Sequence, residues 1–118
     1  MSAQYALAQT YEYGRGVSPD DARAAAWYAK AADAYDEDGD HSNVDAQYAL
    51  AKMYESGRGV PQDLSEAFYW FHQAARRRYS GAAEAREAIF SRLSPEQRLA
   101  AHERTRVKGL EDIVPLAI

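Results

Sequence analysis

The sequence has no cysteine. Disulfides, thiolate zinc sites and cysteine nucleophiles are therefore excluded together, while the redox compartment is left undetermined. The three histidines, His41, His72 and His102, are scattered, and none stands four residues from another as a helical metal pair would. No run approaches the ~18 apolar residues that a membrane span needs. No basic segment followed by an apolar stretch marks a signal peptide. The default expectation is a cytoplasmic protein, with a periplasmic or secreted place left open if the chain is a processed or excised piece. Serines are few and no Gly-x-Ser-x-Gly elbow occurs. No oriented set of acid, base and nucleophile can be picked out, so the expected protein is not an enzyme. A formal charge of −4 gives no footprint for a general nucleic-acid binder. Neither a cofactor nor a metal is expected.

What is present is globular. Hydrophobic residues make up 47% of the 118 and charged residues 27%, values that argue against disorder. The length fits one domain, taken as residues 1–118. Twenty-four residues are alanine, the best helix former, and the 4 prolines and 7 glycines mostly cluster. Arginine outnumbers lysine 11 to 3, which reads as a GC-rich, bacterial coding bias.

The strongest signal is internal. Ala3-Gln4-Tyr5-Ala6-Leu7-Ala8 returns 43 residues later as Ala46-Gln47-Tyr48-Ala49-Leu50-Ala51. Tyr11-Glu12 returns as Tyr54-Glu55, and Gly14-Arg15-Gly16-Val17 as Gly57-Arg58-Gly59-Val60. Asp20, Ala24, Trp27 and Ala31-Ala32 recur as Asp63, Ala67, Trp70 and Ala74-Ala75, giving 17 identities over 30 aligned positions. Each copy reads as helix, turn, helix. In the first helix of the second copy, taken as 44–56, Ala46, Leu50, Met53 and Tyr54 share one face, and Tyr48, Lys52 and Glu55 the other. Glycine ends the helix, and an aspartate caps the next one. Glu66, three residues past Asp63, is placed to close a capping box.

The segments AQYALAQTYEYGRGVSPDDARAAAWYAKAA (3–32) and AQYALAKMYESGRGVPQDLSEAFYWFHQAA (46–75) resemble the Sel-one-like repeat, a relative of the tetratricopeptide repeat. The resemblance implies an all-α fold: a right-handed α/α superhelix, or solenoid, of about three antiparallel helix pairs. It also implies an adaptor or scaffold role, often bacterial. The period of 43 exceeds the family's usual one, and the extra residues fall in an acidic insert at 33–45.

The remainder, 76–118, lacks the repeat signature and reads as a capping helix pair and tail. One helix is expected over 81–93. A second begins at Ser94-Pro95-Glu96-Gln97, where serine caps, proline takes the first helical position and glutamine closes the box. Such a pair covers the apolar face that an end repeat would otherwise expose. The apolar Ile113-Val114-Pro115-Leu116-Ala117-Ile118 follows. Repeat one starts at Ala3 with no capping element before it, so the chain reads either as a piece of a longer solenoid or as one whose open face another molecule covers.

Asp36, Asp38 and Asp40 match the first three ligand positions of a calcium loop, but His41 stands where glycine should and Gln47 where glutamate should, so a solvated acidic loop is expected. The two Gly-x-Gly pairs follow helices, not strands, and are not phosphate loops. Trp27 and Trp70, recurring at one helix position, are expected in the core. Since first helices line the concave surface of a tetratricopeptide-like stack, the resemblance places Tyr5, Gln9 and Glu12, matched by Tyr48, Lys52 and Glu55, where a protein or peptide partner would lie. Arg15 and Arg58, between the turn glycines, are candidate rim residues or polar filler. The first 75 residues carry 5 basic and 12 acidic groups, and the rest 9 and 6, including Arg76-Arg77-Arg78. This asymmetry would serve an acidic partner or head-to-tail contact between copies, and the plain reading of the arginine run is a solvated helix end that suits the helix dipole. The alternative function is accordingly a self-associating building block, joined through its end faces or the C-terminal tail. Neither nucleic acid nor a membrane is an expected partner.

Overall fold

A computed structural model describes residues 3–33 and 42–107. The Asp36, Asp38, Asp40 run, His41 and the apolar C-terminal segment lie outside the described residues. Among the described residues there are six helices and no strand: α1 (Ala3–Tyr13), α2 (Asp21–Ala32), α3 (Ser42–Ser56), α4 (Leu64–Arg76), α5 (Ala82–Arg92) and α6 (Pro95–Val107). None is long and apolar enough to cross a membrane. Helix α3 begins two residues before the expected start and takes the end of the acidic insert into its first turn.

The two copies fold alike down to their backbone bonds. The Asp20 amide returns to the Tyr11 carbonyl at 2.9 Å, and the Asp63 amide to that of Tyr54 at 3.0 Å. Both aspartates then cap a helix from extended backbone, accepting from Arg23 N and Glu66 N at 3.1 Å each. The Glu66 side chain does not close the expected box, because it pairs with Arg104 of α6. At α6 the reciprocal box is complete: Ser94 N donates to Gln97 Oε1 at 2.8 Å, and Gln97 N to Ser94 Oγ at 3.2 Å.

From α1 to α5 each helix packs on the next in sequence, the solenoid pattern, and α6 returns to pack on α4. Helix α4 is the spine. Residues Ala67 to His72 are buried without interruption, because α3, α5 and α6 all lie against it. Helix α2 is enclosed only in part, burying Ala24, Ala25, Tyr28, Ala31 and Ala32 while Ala22, Ala26 and Lys30 face water. Helices α5 and α6 splay from their short connection, each resting on α4. They are tied by Arg98, whose Nε donates to the Phe90 carbonyl at 3.2 Å.

The two tryptophans do not share one environment. Trp70 is buried, whereas Trp27 is half-buried with Lys30 Nζ 4.8 Å from its ring centre. The reason is position in the stack. Helix α6 covers α4, but α4 hardly meets α2, so the first tryptophan lacks the second layer.

His72 is also buried in α4, its ring stacked on Phe68. Its Nδ1 faces Arg86 Nη1 at 3.3 Å. An arginine can only donate, so the ring proton belongs on Nε2, which is buried without a hydrogen-bond partner. Burial, then the charges of Arg86 and Arg76 and the neighbouring His102, push His72 down to about 4. The folded pKa is below the unfolded value of 6.5, so as pH falls the unfolded chain binds its proton first. Stability present above pH 6.5 is therefore lost progressively toward pH 4. The expected loss is on the order of 2 kcal/mol, the full shift being reduced by water screening near the two arginines. Urea melts across that window should show it, and a His72→Phe variant should flatten that part of the profile.

Candidate functional site

Helices α1 and α3 barely touch, and both lean on α2. Between them opens a cleft of about 550 Å³. Its α1 wall carries Tyr5, Gln9, Glu12 and Tyr13, and its α3 wall Asp45, Tyr48, Ala49, Lys52 and Met53. Tyr28 of α2 lies at the back, with Arg58 and Tyr79 at the ends of the lining. One face of each first helix is aimed here because residues four apart in a helix point the same way.

The side chains are held in place by one another. Gln9 Nε2 donates to the Tyr5 hydroxyl at 3.1 Å, and the Tyr5 ring lies tilted against that of Tyr28 at 5.8 Å. The Tyr28 hydroxyl donates to Glu12 Oε1 at 2.5 Å. Burial, then the bond to Glu12, holds the Tyr28 phenol above its ordinary pKa. Burial and the Asp45 carboxylate do the same to Tyr5 and Tyr79. Tyr48 is stacked on Tyr79 at 4.7 Å, meets Phe71 edge-on at 5.4 Å, and carries Lys52 Nζ 5.8 Å from its ring centre.

Of the residues singled out in the sequence, the cleft brings together Tyr5, Gln9, Glu12, Tyr48 and Lys52. Glu55 lies outside the lining and pairs with Arg92 of α5 at 3.3 Å. Arg58 reaches the lining, but its guanidinium is committed to the first repeat: Nη2 donates to Glu12 Oε2 at 3.2 Å and to Asp21 Oδ1 at 3.1 Å. Arg15 stands apart and exposed, 5.5 Å from the Tyr13 ring centre. Tyr5 and Tyr48 are half-buried, so each packs on its neighbours and lines the cleft at once. Tyr13, Tyr28, Asp45 and Tyr79 line the cleft as well and lie outside the stripe that the sequence pattern marks. Tyr28 stands where the second copy has a core phenylalanine, Phe71, and Tyr79 follows the repeat altogether.

The lining holds five tyrosines with acids and cations between them. It can stack on and hydrogen-bond to a segment laid along it. Among the described residues no three His, Cys, Asp or Glu side chains gather as metal ligands would.

The sequence model of the Sel1 repeat matches residues 2–36 and 44–79. Among solved structures, a protective antigen present in uropathogenic Escherichia coli strains, displaying an SLR fold, superposes with a TM-score of 0.72 at 26% identity. The match covers 98% of this chain and 26% of the antigen, so the chain spans about a quarter of that protein's length. No curated protein matches the chain.

Proposed function

Because the chain belongs to the Sel1 repeat family, we propose that it is a non-enzymatic interaction module that holds a protein or peptide segment in the cleft between α1 and α3. The observation that carries this reading is the cleft lining. Tyr5, Tyr28, Tyr48 and Tyr79 are pre-ordered by contacts to one another and to Gln9, Glu12 and Phe71. Tyrosines fixed before binding lose little entropy on contact, and they are favoured as interface anchors for that reason. An extended or helical segment of a partner is what a groove on a helical repeat accommodates.

The test is capture by the immobilised chain from a lysate of its source cell, with the parent beside a Tyr5→Ser, Tyr48→Ser variant. Loss of two anchors should reduce recovery of the partner by at least about tenfold, while circular dichroism shows the same helix content. Equal recovery by a folded variant would dismiss the cleft as the binding face.

A further inference from the structure

The internal repeat supplies a comparison between two equivalent outer faces, one covered and one not. In the second copy, Leu50 is 1% exposed, Ala46 is buried and Val60 packs against the core. In the first copy, Leu7 is 39% exposed, Val17 is 42% exposed and Ala3 faces water. The turn glycines differ in the same way. Gly59 lies so close to the first turn of α2 that a Cβ there would stand 2.2 Å from the Asp21 carbonyl oxygen, whereas nothing approaches Gly16 within 4 Å of that point. Arg58 grips Asp21 and Glu12 across the repeat boundary, while its equivalent, Arg15, stands beside the Tyr13 ring of its own repeat. What covers this face one repeat further on is therefore known. It is a helix with an acid in its first turn and small side chains beyond.

Among the described residues, α6 presents such a helix face to solvent. On α6 the exposed residues Glu96, Leu99, Ala100 and Glu103 run at the same spacing as Asp21, Ala24, Ala25 and Tyr28 of α2. Leu99 is 60% exposed. The large exposed apolar side chains among the described residues are Leu7, Tyr13, Val17 and Leu99, so they fall on the first hairpin and the last helix.

We propose that copies of this chain associate head to tail. The outer face of α1 in one copy seats on α6 of the next, with Leu7 on Leu99 and Arg15 paired to Glu96. The interface is heterologous, so every assembly of copies still presents one open head and one open tail, and growth continues along the solenoid axis. It does not use the cleft between α1 and α3, and it stands or falls independently of the peptide-binding reading.

Sedimentation velocity on the full chain tests it, over a range from roughly 5 to 500 µM, where weak heterologous contacts become populated. The average mass of the parent should rise with concentration beyond that of a dimer. Leu7→Asp and Leu99→Asp each alter an exposed side chain, and each should remain monomeric with unchanged helix content. Mixed in equal amounts, they should form a dimer and stop there, because one retains a working tail and the other a working head. Arg15→Glu should weaken association about tenfold, and adding Glu96→Arg in the same chain should restore it. A parent that stays monomeric throughout, a Leu99→Asp variant that assembles like the parent, or a mixture that stays monomeric would each overturn the proposal.

Discussion

Replacing Gly59 with alanine is expected to destabilise the protein by at least ~3 kcal/mol, whereas the same change at Gly16 should cost only ~1 kcal/mol. Both glycines occupy the left-handed region, with φ of 75° and 80°, so both variants pay the steric penalty that any side chain meets there. The difference lies in the surroundings. At Gly16 a new methyl group enters open space. At Gly59 it would stand 2.2 Å from Asp21 O and 2.5 Å from Asp21 C, which are backbone atoms of a helical turn. That turn cannot swing aside as a flexible side chain could. The second repeat must instead lift off the first, loosening the Arg58 pairs to Asp21 and Glu12 as it does so. Paired denaturant melts of the two variants give the comparison directly. Similar losses in the two would mean that the repeats are not in contact through this turn.

The second large effect concerns the tryptophans. Trp70→Ala should cost roughly 3–5 kcal/mol, the usual range for emptying a buried aromatic site. Its ring is enclosed in the core beside the edge-on ring of Tyr69, 4.9 Å away, and α5 and α6 leave the surrounding helices little room to collapse into the void. Trp27→Ala should cost about 1–2 kcal/mol, since part of its ring already faces water and its contact with Lys30 is a surface one. Equal costs at the two sites would contradict the layered burial described for α2 and α4.

The repeat made the helices and their ends readable in advance. Asp20, Asp63 and the Ser94–Gln97 box act where their spacing placed them, because a cap is a local device whose partners lie three residues away. What could not be read depends on place within the stack. The motif Gly-Arg-Gly-Val is the same in both copies, but it is the second copy's arginine that holds Asp21 and the second copy's glycine that rests against the first turn of α2. The matched tryptophans diverge because α6 covers α4 while α4 hardly meets α2. Glu66 had the spacing to close a box, but Arg104, more than thirty residues distant in sequence, lies within reach. For the cleft, helical periodicity set Tyr48, Lys52 and Glu55 apart from the apolar face and the family resemblance pointed to the first helices, but neither indicated Tyr28 and Tyr79, which reach the lining from other elements, while Glu55 lies outside it.

The slight contact between α1 and α3 has a mechanical consequence. Both rest on α2, so α2 acts as the wedge that sets the gauge of the opening between them. Its buried surface is largely alanine: Ala24, Ala25, Ala31 and Ala32 are each no more than 3% exposed. Only glycine is smaller, and glycine would weaken the helix itself. Larger side chains at these positions would drive the walls apart from behind without altering one lining residue. The width of the groove is therefore adjustable in one direction only, and this chain sits near the narrow limit.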